Sequence, residues 1–136
     1  MSIAQNLHIL DRIRVLNKII ERSSFFKTES AILRSLHILD GPKRLSPKEI
    51  MQQVPISSGA LTTAIGRLEK QNLIMRVENE EDGRGQFVQL TKNGQSFIES
   101  QSEALENFVQ NAFEGFDDIE LLRLQKLLRK LTDNLG

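Results

Sequence analysis

Residues 45–74 read LSPKEIMQQVPISSGALTTAIGRLEKQNLI, and this stretch decides the fold. Ser46 suits the N-cap of a helix, Pro47 fits the first helical position, where no backbone donor is needed, and Glu49 completes a Ser-x-x-Glu capping box. The helix so begun runs from Pro47 to about Val54, with Ile50, Met51 and Val54 on one stripe, and Pro55 stops it. Ser57 or Ser58 caps a second helix within a few residues. Its inner stripe is Leu61, Ala64, Ile65 and Leu68, continued by Leu73. Stepping 100° per residue from Leu61 turns Gly59, Thr63, Gly66 and Lys70 outward and leaves Thr62 and Arg67 on the flanks. Two amphipathic helices joined by a tight turn, the second with a small, hydroxylated and basic outer face, describe a helix-turn-helix. Its second helix is shaped to enter a major groove.

Outward from this unit, Asn72 suits the left-handed conformation that ends a helix. Leu73 to Glu78 are rich in β-formers, Asn79 to Gly85 make a polar turn, and Phe87, Val88 and Leu90 resume a strand. A β-hairpin appended to a helix-turn-helix is a winged helix. The expected fold class is therefore mainly α with a small antiparallel β-hairpin, and Leu45 is placed to pair as a short third strand at the base of the wing.

The combination of Leu68, Glu69, Leu73, Ile74, Arg76, Asp82, Arg84, Val88, Leu90, Thr91 and Gly94, correctly spaced, resembles the MarR family of bacterial winged-helix regulators. Asn72 stands where that pattern usually has Gly, and Gly85 where a second basic wing residue is frequent. Thr63 and Gly66 replace an Arg and an Asp often found in the recognition helix. The resemblance implies a single domain over 1–136, with a winged-helix DNA-binding lobe at 28–94 and dimerisation helices at 1–22 and 95–136. It further implies a cytoplasmic homodimer that binds double-stranded DNA at an inverted-repeat operator, most such regulators being repressors. It also makes a small aromatic or phenolic ligand, bound between the dimer helices and the lobe, the candidate effector.

The flanks fit that expectation. A helix from residue 4 to about 22 carries Leu7, Leu10, Ile13, Val15, Leu16, Ile19 and Ile20 on more than one stripe, so two surfaces must bury it, one of them a second subunit. Thr28 is the expected cap of the next helix, whose apolar residues run from Ala31 to Leu39 and which is expected to end at Asp40-Gly41-Pro42. From Lys92 the chain is expected to be helical with one break at Gly115, after which Asp117 caps a last helix with an apolar face too wide for a small monomer.

Composition narrows the chemistry. The chain has 136 residues, enough for one core, and no cysteine, so disulfides, thiolate metal sites and thiol-based oxidant sensing are excluded. Asp11, Arg12 and Arg14 interrupt the N-terminal apolar residues, so no signal peptide is expected, and no apolar run approaches the length of a membrane span. Net charge is zero, with seven basic and six acidic groups in residues 42–91 against five and eight in 92–136. The acidic excess therefore lies away from the proposed DNA face, and the weakly basic centre implies modest affinity per lobe, with dimerisation supplying the rest. No catalytic, metal-binding or cofactor-binding constellation is present: nothing has metal-ligand spacing, no phosphate loop appears, and no His is expected beside a carboxylate.

The candidate DNA contacts are Ser57, Ser58, Gly59, Thr62, Thr63, Arg67, Arg76, Asp82 and Arg84. The Thr hydroxyls suit base edges, and the Ser pair suits capping with phosphate contact in addition. Arg67 faces phosphate or supports the wing, with Glu69 and Glu49 offering structural ion pairs, and Arg76 reaches either the DNA backbone or the wing. By the resemblance Arg84 enters a narrow minor groove from the wing tip, held in place by Asp82. Phe25 and Phe26 are core residues or line the ligand cavity the family uses, and His8 and His37 read as helix-face or interface residues. A winged helix turned to protein interaction, and a DNA-binding regulator with no small-molecule effector, are the alternatives.

Overall fold

The computed structural model describes residues 1–78 and 85–136, which fall into two compact units, Met1–Ser102 and Glu103–Gly136. In the first, α1 (Ile3–Arg22) starts on a capping box: the Ser2 hydroxyl accepts from the Gln5 amide at 3.2 Å, and the Ser2 amide donates to Gln5 Oε1 at 2.8 Å. No residue of α1 is buried. A short 3₁₀ turn, Ser24–Phe26, leads to α2 (Thr28–Ser35).

Here the structure departs from expectation twice. Thr28 is the first residue of α2, not its cap; the cap position is Lys27, whose side chain makes no capping bond. And α2 stops at Ser35 instead of running to Asp40. The Leu36 carbonyl, which a continuing helix would offer to its own next turn, accepts instead from the amide of Lys43 at 3.0 Å as the chain doubles back. His37 (φ −156°, ψ −108°) and Ile38 (φ 56°) then leave helical geometry, and a second 3₁₀ turn, Ile38–Asp40, follows. A β-branched residue at positive φ is a strained exception, tolerated because burial of Leu36 and His37 fixes the chain on either side.

The central elements form as their residues dictate. In α3 (Pro47–Gln53) the Ser46 hydroxyl accepts from the Glu49 amide at 3.1 Å, and the Glu49 carboxylate accepts from the Ser46 amide at 3.0 Å. In α4 (Ser58–Lys70) the Ser57 hydroxyl accepts from the Ala60 amide at 3.2 Å. Asn72 takes φ 59°, as a helix-ending Asn should. Strands β1 (Ile74–Glu78) and β2 (Gln86–Leu90) pair antiparallel, with Ile74 opposite Leu90 and Arg76 opposite Val88. Leu45 adds a bridge on the far side of Val88, with hydrogen bonds of 3.1 and 2.8 Å in the two directions.

One core serves this unit. Ile32 and Leu36 come from α2 and its end, Ile50 from α3, Leu61 and Leu68 from α4, and Val88 from the wing, all fully buried, with Ile98 of α5 (Lys92–Ala112) closing one side. Gly94 marks the tightest approach: a Cβ there would lie 2.0 Å from the Leu73 carbonyl oxygen, so only glycine lets the start of α5 lie against the turn that follows α4.

In the second unit the end of α5 passes through a turn where Gly115 has φ 85° and the rings of Phe113 and Phe116 meet edge to face at 5.7 Å. Asp117 caps α6 (Asp118–Leu135), accepting from the Glu120 amide at 2.7 Å, and no residue of α6 is buried.

Candidate nucleic-acid interface

Helix α4 presents the surface that the sequence predicts. Leu61, Ala64, Ile65 and Leu68 face the core, while Ser57, Ser58, Gly59, Thr62, Thr63 and Arg67 are exposed. A Cβ added at Gly59 would meet nothing within 4 Å, so the outer face is open as well as small. The Thr62 hydroxyl donates to the Ser58 carbonyl at 3.0 Å, and that of Thr63 to the Gly59 carbonyl at 3.2 Å. Each hydroxyl proton is thus committed to the helix, and each oxygen is left as an acceptor facing outward. In that state the pair matches the exocyclic amino groups of adenine and cytosine on a major-groove edge.

Two arginines flank this face, and each has a carboxylate partner. Arg67 Nη1 lies 3.6 Å from Glu29 Oε1, in the first turn of α2, rather than beside the expected Glu69 or Glu49. The pair borders an open cleft of ≈ 690 Å³ between the start of α2 and the outer side of α4, which Lys27, Thr28 and Thr63 also line. Arg76 Nε donates to Glu69 Oε1 at 2.9 Å, tying β1 to α4. Lys27, Thr28 and Glu29 were not among the residues expected at this surface: they stand far from α4 in the chain, and no local pattern marks them. Asp82 and Arg84 lie outside the described residues.

A second region concerns Phe26. A groove of ≈ 460 Å³ runs between α1, α2 and the end of α3, lined by Ile20, Phe26, Arg34 and Val54 among others. The Arg34 guanidinium sits 4.7 Å from the centre of the Phe26 ring and donates to the Phe25 carbonyl. Burial lowers the Arg34 pKa, since desolvation disfavours the charged form, yet a guanidinium is basic enough to stay cationic at neutral pH.

His37 corrects an expectation. It is buried, and its Nε2 lies 3.2 Å from Glu99 Oε1 of α5, so a histidine does stand beside a carboxylate, 62 positions away in the chain. Its Nδ1 is buried with no partner among the described residues. No helix of the described residues is long and apolar enough to cross a membrane.

Comparison with known proteins agrees with this geometry. The family model described as MarR family matches residues 28–85. The chain is 28% identical over 125 residues to the HTH-type transcriptional regulator PecS of Dickeya dadantii, covering 90% of this chain and 74% of that one. Among solved structures, a MarR/EmrR family transcriptional regulator from Acinetobacter sp. ADP1 superposes with a TM-score of 0.80 at 24% identity, covering 99% of this chain and 98% of the other. A mutant MarR from E. coli complexed with operator DNA gives 0.68 at 22% identity, over 96% and 99%. At these identities the solved structures speak for the fold.

Proposed function

We propose that the chain, whose residues 28–85 match the MarR family model, is a MarR-type DNA-binding transcriptional regulator that acts in the cytoplasm as a homodimeric repressor of an inverted-repeat operator. Two α4 helices related by the dimer axis would enter successive major grooves, with half-sites about one helical turn (~10 base pairs) apart. Ser57, Ser58, Gly59, Thr62 and Thr63 would lie against base edges and the adjoining phosphates, and Arg67 against the backbone. Arg84, with Asp82 beside it, would enter the minor groove, and Arg76 belongs to the same surface. The observation that carries this reading is the exposed face of α4, small and hydroxylated, where an interface for a partner protein would carry large apolar or aromatic anchors.

Dimerisation would use the faces that the chain leaves uncovered on α1 and α6, where Leu7, Leu16, Ile19, Ile119 and Leu122 are all more than half exposed. A small aromatic or phenolic effector fits the groove beside Phe26 and Arg34, which offers a ring and a cation to stack on or pair with. Binding there would release DNA only by favouring a lobe spacing that no longer matches the operator.

The test is selection of duplexes from a random-sequence library by the purified chain, at low and then physiological salt. Enrichment of one inverted repeat that survives the salt step is the expected result. Recovery of unrelated duplexes that fall away with salt would overturn operator recognition and return the outer face of α4 to another partner.

A further inference from the structure

Arg76 sits on a rung of the wing that is anchored from both sides. Val88 is paired with Arg76 in β1 and bridged to Leu45 on its other edge, so Leu45, Val88 and Arg76 form a single row across three strands. At the Leu45 end the row is held by two backbone hydrogen bonds. At the Arg76 end it is held by the 2.9 Å bond from Nε to Glu69 on the last turn of α4. Beyond that row, Val77 pairs with Phe87 and Glu78 with Gln86 in the outer wing.

We propose that Glu69 and Arg76 are positioning residues, a strut that fixes the wing's angle against the recognition helix, and that Arg76 is not a phosphate contact. This rests on the DNA-binding function proposed above and divides labour within that surface. Three observations support it. The Nε–Oε1 bond is short and directional, whereas Arg67 stands 3.6 Å from its carboxylate and is 66% exposed, free to turn to a phosphate. Arg76 and Glu69 are less exposed, at 43% and 35%. And Arg76 opens on a groove between α4 and the wing whose lining includes a second carboxylate, Glu78, two residues on in the same strand. That carboxylate repels phosphate from the side where Arg76 would have to meet it.

Electrostatics makes the two roles separable. If Arg76 bound phosphate, removing Glu69's negative charge would leave DNA affinity unchanged or raise it. If the pair is a strut, the same removal lowers affinity. The experiment takes the full chain and its Glu69→Gln, Arg76→Gln and doubly substituted forms. It measures binding to a duplex enriched by the unsubstituted protein, as a function of salt, and amide hydrogen exchange without DNA.

On DNA, each single substitution should weaken binding about two- to fivefold, the range of a surface ion pair. The double variant should be no weaker than either single one, and all should keep the parent's slope of log affinity against log salt. Without DNA, both single variants should exchange faster in β1 and β2 and not in α2 or α3. An Arg76→Gln slope shallower by about 0.9, with Glu69→Gln binding as well as the parent or better, would make Arg76 a phosphate contact and overturn the proposal. Unchanged wing exchange in both single variants would overturn it as well. If the parent chain enriches no duplex, the DNA-binding function falls, while exchange still decides the strut.

Discussion

Helices α4 and α6 are both amphipathic and both capped by a side chain, yet they end in opposite states. Of the 13 residues of α4, Leu61, Ala64, Ile65 and Leu68 are buried within the chain's own core. Of the 18 of α6, none is, and Ile119, Leu122 and Leu127 are each more than half exposed. The difference teaches what apolar periodicity encodes: that a helix face requires cover, not which surface supplies it. For α4 the cover is α2, α3 and the wing. For α6, the proposed cover is a second copy of the chain.

The sharpest way to break that contrast is to charge the uncovered face. Ile119→Glu with Leu122→Glu should leave the winged-helix lobe folded, convert the proposed dimer to monomer in sedimentation equilibrium, and weaken binding to the proposed operator about a hundredfold through lost avidity. A variant that stays dimeric would show that α6 is not the seam.

Next in size comes a pair of glycines in the lobe, one packed and one open. Gly94→Ala would drive a Cβ into the Leu73 carbonyl and should cost about 3 kcal/mol in urea denaturation. Gly59→Ala, with open space around it on the outer face of α4, should instead stabilise by about 0.5–1 kcal/mol, as Ala does over Gly in a helix. If the two substitutions had equal effects, the distinction between packed and open faces of this lobe would fail.

The smallest effect expected is one of pH. The Ser46 backbone amide, and then the Ser46 hydroxyl, hold the Glu49 carboxyl below its ordinary value of 4.5. A lowered folded-state pKa means stabilisation that is complete above that ordinary value and disappears as pH falls through the folded one. The melting temperature of the parent chain should exceed that of Glu49→Ala at pH 7, with the gap closing in acid. A gap that widens toward low pH would contradict the capping role.

Local rules made most of the lobe legible. Ser46, Ser57 and Asp117 announce their helices because a cap needs only its own neighbours, and Asn72 ends α4 for the same reason. The early end of α2 was hidden, because Ala31 to Leu39 keep a helical pattern of apolar residues while the competing bond to Leu36 comes from Lys43, after the turn. The site was legible as a face but not as a network. The small outer residues of α4 follow from periodicity, whereas the partners of Arg67, Arg76 and His37 lie across elements that only folding brings together.

The row through Leu45, Val88 and Arg76 also bears on the order in which the chain folds. The hairpin pairs β1 with β2 locally, but the Leu45 edge closes a loop that contains both helices of the helix-turn-helix; the neighbouring Arg44 Nε to Gln89 Oε1 bond, 3.0 Å long, spans 45 positions. Closing so long a loop before its contents are compact loses chain entropy with little return. The helices and the hairpin are therefore expected to form before Leu45 joins. Because Ile74, Val88 and Leu90 of the hairpin are buried in the same core as Leu61 and Leu68, the wing is held to the lobe by side chains as well as by that edge, and losing the Leu45 edge alone should leave it docked.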